Sequence, residues 1–117
     1  MTKRSNEPIL WSLFGAGGVV ASLVLPALIL VTGIAIPLGL IPAESLSYER
    51  MSAFVGNGFG KLFLFIVISL TLWHAFHRIY HSLHDFGVRS HLGAFKVIAY
   101  GTALLGTLSA AYFALIV

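Results

Sequence analysis

Residues 8–43, PILWSLFGAGGVVASLVLPALILVTGIAIPLGLIPA, run for 36 residues without one charged side chain. A bilayer core about 30 Å thick is crossed by about 20 helical residues, so this stretch is long enough for a transmembrane helix. In the whole chain of 117 residues, 58% are hydrophobic, 9% are charged, and the mean hydropathy is +0.95. An average soluble domain carries about 25% charged residues. The composition therefore excludes a soluble domain and indicates an integral membrane protein.

Two further apolar runs follow, and both are long enough to cross a bilayer. We predict an all-α integral membrane protein with three transmembrane helices, at residues 10–36, 59–80 and 95–117, in one membrane domain that covers residues 1–117. Pro37 marks the exit of the first helix, because proline cannot continue the helical hydrogen bonds. Ser45 or Ser47 is expected to cap a short helix in the polar first connection.

The basic residues predict the orientation of the chain, because positively charged loops stay on the cytoplasmic side. Five of the seven lie in the N-terminal arm and around the second connection, and two lie around the first connection. We therefore predict a cytoplasmic N-terminus and a C-terminus on the far side of the membrane. The first group is Lys3, Arg4, Arg78, Arg89 and Lys96, and the second is Arg50 and Lys61.

Several functional classes are excluded by composition. The net charge of +3 is sparse and spread along the chain, which argues against a nucleic-acid partner. Cysteine is absent, which excludes disulfides, thiolate metal sites and covalent c-type haem. Three spans leave no room for a soluble catalytic domain, so we expect a subunit of a larger assembly that also contacts membrane lipid.

Small residues predict close helix packing. The third helix carries two neighbouring stripes with a small side chain or threonine at every fourth position. Gly18 and Ser22 form a similar pair on the first helix. The two stripes are Thr102, Gly106, Ala110 and Ala114, and Ala99, Ala103, Thr107 and Ala111.

The second predicted helix carries five polar residues near its end, within the run WHAFHRIYHSLHD at residues 73–85. At 100° per residue they fall within about 100° of one another and share one helical face. Antiparallel helices bring the start of the first helix, with Trp11, Phe14 and Gly15, to the same depth. The five are His74, His77, Arg78, His81 and Asp85.

These residues offer the contacts that a quinone needs, which are hydrogen bonds to its oxygens and apolar contact for its ring and tail. Trp11 and Arg78 are donors, His77 is a donor or acceptor, and Gly15 leaves space for a flat ring. The same residues are typical of an aromatic belt with a positive cytoplasmic helix end, and paired histidines can bind a metal ion. The pattern alone leaves a quinone site, a structural role and a metal or haem site open.

Four stretches resemble the D subunit of quinol:fumarate reductase, and the resemblance extends over nearly the whole chain. They are KRSNEP at residues 3–8, WSLFGAGG at 11–18, LSYER at 46–50, and the second-helix run from Leu72 and Trp73 through His77 and Arg78 to Asp85. Their order, spacing and three-span setting make the resemblance specific. It implies a non-catalytic membrane-anchor subunit of a complex for anaerobic fumarate respiration.

In that family, the C and D anchor subunits attach a flavoprotein subunit and an iron–sulfur subunit to the bacterial inner membrane. The resemblance therefore implies that the C-terminus of this chain is periplasmic. FAD and the iron–sulfur clusters lie in those partners, and menaquinol is oxidised between the anchors and the iron–sulfur subunit. The resemblance assigns to this quinone site Trp11, Phe14, Gly15, His77 and Arg78, with no catalytic residue in this chain. We predict that Trp11 and Arg78 hydrogen-bond one quinol oxygen, that His77 supports them, and that Phe14 and Gly15 shape the ring slot.

His74 departs from the family pattern, in which the haem-free subunits lack a histidine at this position. Related succinate dehydrogenase anchors bind haem b through one histidine of each anchor, so a haem b-binding anchor of a succinate:quinone oxidoreductase is one alternative, with His74 as the candidate ligand. A small membrane adaptor or conduit without redox partners is the other. We predict a complex without haem b and without a metal ligand in this chain.

Overall fold

The computed structural model describes residues 5–117, so the predicted cytoplasmic residues Lys3 and Arg4 lie outside the described part. Residues 5–117 are helical with turns and contain no strand. Three helices are long and apolar enough to cross a membrane, Glu7–Ala35, Gly58–Asp85 and Leu92–Ile116. The predicted fold class, all-α with three transmembrane helices, is confirmed. The orientation of the termini stays a prediction.

The first helix, α1 (Glu7–Leu30), has Pro8 in its first turn, where the missing N–H of proline is not needed. It runs through Pro26 and continues as a single π turn, Val31–Ala35, just before Pro37. A short 3₁₀ turn, Ala43–Leu46, and α2 (Tyr48–Gly56) form the first connection. Ser47, one of the two predicted caps, accepts a long 3.5 Å hydrogen bond from the Arg50 N–H at the start of α2.

The second and third membrane helices are α3 (Gly58–Asp85) and α4 (Leu92–Ile116). Asn57 caps α3 by accepting a 2.8 Å hydrogen bond from the Phe59 N–H. Gly60 permits the tight fold of α2 on α3, because a Cβ at this position would overlap the Phe54 carbonyl. The chain leaves α3 through Gly87, whose φ of +80° is readily adopted only by glycine.

The helix α3 lies between α1 and α4 and packs against both. On α4, one predicted stripe of small residues faces α3, since Ala99 and Ala103 are buried. Below them, Thr107 accepts a 3.1 Å hydrogen bond from the Trp73 indole N–H. In the other stripe, Gly106 lies against Leu72, whereas Thr102 is exposed.

The helices α1 and α3 approach each other closely at Gly17. A Cβ added there would overlap the Leu70 carbonyl and lie 2.7 Å from the His74 Cβ. The sequence pattern pointed to Gly18 and Ser22 instead, and of these Gly18 lies beside the His74 ring, while Ser22 is exposed. Glycine at a helix contact lets two backbones approach closely, which replaces the large hydrophobic core of a soluble protein.

The Trp73–Thr107 hydrogen bond is expected to contribute modestly to the α3–α4 contact. Thr107→Val should weaken it by about 0.6 kcal/mol, the average for side-chain hydrogen bonds between membrane helices. The temperature at which the tagged chain dissociates from its purified assembly measures the loss. Thr102→Val is the matched control, because the Thr102 hydroxyl is exposed and donates only to the Ile98 carbonyl of its own helix. An equal shift in both variants would contradict this role of Thr107.

Little of the apolar side-chain surface is covered within the chain. Among the described residues, the buried hydrophobic side chains are Ala35, Ala99 and Ala103, all of them small. Large side chains such as Leu23, Phe59 and Leu105 are exposed on the helix surfaces. Such surfaces are stable only against lipid or against other membrane subunits.

Candidate functional site

Aromatic and histidine rings join the start of α1 to the end of α3. The Trp11 ring packs against those of His77 and His81, at centroid distances of 5.0 and 5.6 Å. One turn further, Phe14 stacks on His74 at 4.5 Å with an angle of 9° between the planes, and touches His77 at 4.8 Å. The two helices therefore run antiparallel, and three of the five predicted site residues, Trp11, Phe14 and His77, lie together.

His77 is the most buried polar residue of this cluster, with 3% of its surface exposed. Its Nδ1 shares a 2.7 Å hydrogen bond with the Tyr100 hydroxyl of α4, and its Nε2 has no hydrogen-bond partner in the described part of the chain. The Tyr100 ring also stacks on Trp73. Tyr100 was not predicted from the sequence, because a single tyrosine at the start of an apolar helix does not reveal which neighbour it faces.

His74 has a partner within the chain. Its Nδ1 lies 2.9 Å from the Phe14 carbonyl oxygen, and since a carbonyl can only accept, Nδ1 carries the proton and donates it. The bond links α3 to α1 beside Gly18, which explains a polar side chain at this depth without a ligand. The described residues contain no group of three or more His, Cys, Asp or Glu side chains that could hold a metal ion.

Two openings flank the packed rings. One is a cavity of about 430 Å³ between α1, α3 and α4 at the polar end. The other is an open groove of about 590 Å³ on the outer side of α3, lined by His74, Arg78 and Ser82 among others. The cavity is lined by Glu7, Leu10, Trp11, His77, Tyr80, His81, His84, Lys96 and Tyr100.

The predicted polar face of α3 is thus divided by α1. The first helix packs along its middle, so His77 and His81 line the cavity while Arg78 lines the outer groove with His74. Asp85 is exposed at the helix end. The structure therefore does not bring Arg78 into the cavity that Trp11 and His77 line. A helical wheel of α3 could not reveal this division, because it contains no information about the neighbouring helix.

Helix register nevertheless places Trp11, Gly15 and Arg78 at a similar depth in the bundle, although Trp11 lines the cavity and Arg78 lines the outer groove. Gly18 faces the His74 ring, since a Cβ at Gly18 would lie 3.1 Å from it. Gly15 and Trp11 precede Gly18 by three and seven residues on the same stripe of α1, and Arg78 follows His74 by one turn. Because α1 and α3 are antiparallel, moving backward along α1 and forward along α3 leads toward the same end of the bundle. Gly15 has open space around it, and Trp11 is 52% exposed.

The chain is similar over nearly its whole length to a known protein family. The family model for the D subunit of fumarate reductase matches residues 1–116. The chain belongs to this family of fumarate reductase D subunits. The match confirms the resemblance inferred from the four motif stretches.

Relatives that carry the name of the fumarate reductase D subunit have similar lengths. The chain is 48% identical over 104 residues to that of Vibrio cholerae serotype O1 (strain M66-2), covering 88% of this chain and 78% of the relative. It is 47% identical over 112 residues to that of Vibrio parahaemolyticus serotype O3:K6 (strain RIMD 2210633), covering 95% and 88%. The identity to that of Shewanella sp. (strain W3-18-1) is 42% over 109 residues, covering 92% and 88%.

Family and fold together define the broad role of the chain. It is a membrane-anchor subunit of the fumarate reductase complex and is not catalytic by itself. The few buried apolar side chains agree with this role, because the exposed helix faces need lipid or other subunits around them.

Proposed function

We propose that this subunit, together with the C anchor subunit, attaches the flavoprotein and iron–sulfur subunits to the bacterial inner membrane and helps to form the menaquinol-oxidising site. The membership in the family of fumarate reductase D subunits supports the assembly. The end of the bundle that carries Arg78, Arg89 and Lys96 faces the cytoplasm in this proposal, since basic residues stay on that side. The soluble subunits bind at this end.

The proposed quinol site lies between Trp11 and Gly15 of α1 and Arg78 of α3, which stand at a similar depth in the bundle. The half-exposed Trp11 indole is the observation that carries the proposal, because its N–H has no hydrogen-bond partner among the described residues. The indole N–H can only donate, so at this exposed position it is free to donate to a ligand oxygen. Arg78 is also exposed and makes no ion pair within the described part of the chain.

Each residue has a physical role in this proposal. Menaquinol supplies two electrons and two protons when bound. The Trp11 N–H and the Arg78 guanidinium donate to quinol oxygen, and His77, packed behind Trp11, holds the indole in position. Phe14 forms an apolar wall, and Gly15 leaves the backbone of α1 open to a flat ring. The outer side of the groove is closed by a partner subunit.

Trp11→Phe tests the proposed donor while keeping an aromatic ring in place. The loss of one neutral hydrogen bond costs about 0.5–1.5 kcal/mol, which raises the KM for a short-tailed naphthoquinol about 2- to 13-fold. The measurement uses complex purified in mild detergent through a tag on this chain, with the flavin content as the control for assembly.

Trp73→Phe is the matched control, because it also removes an indole N–H but one that is bonded to Thr107. We expect it to leave the KM for naphthoquinol unchanged. A Trp11→Phe complex with wild-type KM would contradict the quinol contact. Failure of the tagged chain to co-purify with flavin and iron–sulfur subunits would overturn the proposed attachment of the soluble subunits.

A further inference from the structure

The buried His77 ring lies between two rings of the proposed quinol site on α1 and the Tyr100 hydroxyl on α4. On the α1 side it packs against the rings of Trp11 and Phe14. On the cavity side its Nδ1 shares a 2.7 Å hydrogen bond with the Tyr100 hydroxyl. Its Nε2 is buried and has no partner among the described residues, which is costly for a buried polar atom unless a ligand or water completes the contact.

The cavity behind His77 continues to the surface through titratable side chains. The ring centroids of His77 and His81 lie 4.4 Å apart. The ring centroid of Tyr80 lies 5.8 Å from that of Tyr100 and 5.4 Å from that of His84. Glu7 of α1 and Lys96 of α4 line the outer end. A volume of about 430 Å³ with this polar lining has room for several waters with hydrogen-bonding partners.

Building on the proposed quinol site, we propose that the His77–Tyr100 pair and the water in this cavity carry one proton of quinol oxidation from the slot to the cytoplasmic surface. Oxidation of a quinol breaks two O–H bonds, passes two electrons to the iron–sulfur subunit and releases two protons. One of these protons follows this route, and the other leaves through the partner subunits.

The geometry gives the order of the transfer. His77 accepts the proton at Nε2 while the proton at Nδ1 passes to the Tyr100 oxygen, which leaves the ring neutral. Tyr100 in turn gives its hydroxyl proton to water in the cavity. Tyr80, His81 and His84 of α3 then offer successive donors and acceptors toward Glu7 and Lys96 at the surface.

Tyr100→Phe tests this route, because it removes the hydroxyl and retains the ring that stacks on Trp73. In the assembled complex we expect the kcat for naphthoquinol oxidation to fall about 10-fold or more, since one proton-transfer group is lost. The KM and the equilibrium Kd for the oxidised naphthoquinone should change less than about twofold, and the solvent deuterium isotope effect on kcat should increase. Fumarate reduction by a reduced dye that bypasses quinol reports on assembly.

Tyr112→Phe is the matched control, because it removes a hydroxyl from an exposed tyrosine near the far end of the same helix. A wild-type kcat and isotope effect in Tyr100→Phe would overturn the route. A higher Kd for the quinone with an unchanged kcat would also overturn it, by showing that Tyr100 contacts the quinone. If Trp11→Phe raises the KM while Tyr100→Phe changes nothing, the quinol site stands and the proton route fails.

Discussion

Gly17→Leu is expected to prevent stable incorporation of this subunit into the complex. Gly17 is buried where α1 crosses α3, and a Cβ at this position would overlap the Leu70 carbonyl. Backbone cannot move aside as a flexible side chain does, so α1 would have to separate from α3. Overpacking of a tight contact costs about 1–3 kcal/mol, and a branched side chain against backbone lies at or above the upper end.

The amount of tagged chain that co-purifies with the flavoprotein subunit measures this effect. Gly101→Ala on α4 is the control, because a Cβ there meets no other atom within 4 Å and alanine favours helix more than glycine does. We expect Gly101→Ala to co-purify at wild-type yield and Gly17→Leu to be lost. A normal yield for Gly17→Leu would show that the close approach at Gly17 does not hold α1 and α3 together.

Arg78→Leu is expected to give the largest loss of quinol oxidation among the variants of this subunit. A hydrogen bond from a charged donor contributes about 1.5–3 kcal/mol, so the kcat/KM for naphthoquinol should fall about 10- to 150-fold. Because Arg78 is exposed on the outer groove, its removal leaves no cavity within the bundle. The flavin content and the dye-driven fumarate reduction of the purified complex should stay at wild-type values.

Two further variants separate a specific donor from general positive charge. Arg89→Leu removes a cation from the connection between α3 and α4 and should leave the kcat/KM for naphthoquinol unchanged. Arg78→Lys keeps the charge but loses the planar fork of donors, so it should have an intermediate effect. Equal losses in Arg78→Leu and Arg89→Leu would mean that quinol oxidation depends on the overall positive charge of this end of the bundle and not on a specific donor at Arg78.

The sequence was sufficient to predict the three membrane helices and part of their packing. An apolar run long enough to cross the bilayer forms a helix, because a helix satisfies its own backbone hydrogen bonds in lipid. The stripe of Ala99, Ala103 and Thr107 faces α3, as its spacing indicated. The close contact at Gly17 was missed, because several glycines occur together at residues 15–18 and spacing alone does not select among them.

The candidate site could be predicted only in part, since it depends on how three helices are rotated against one another. Trp11, Phe14 and His77 come together because α1 and α3 are antiparallel, as two consecutive membrane crossings must be. The separation of Arg78 from His77 arises from the position of α1 on α3, and the partner of His77 lies on α4. The periodicity of a single helix does not show how that helix is rotated against its neighbours, so neither feature could be predicted.

Photolabelling of the purified complex with an azido-naphthoquinone of short tail, followed by peptide mapping, locates the bound quinone itself. We expect label in this subunit within residues 11–18 and 74–86, and loss of that label in Arg78→Leu but not in Arg89→Leu. Label on residues 96–100 of α4, without label near Arg78, would mean that the quinone occupies the polar cavity and does not reach Arg78. Label that never reaches this subunit, in a complex that oxidises quinol, would contradict its proposed part in the quinol site.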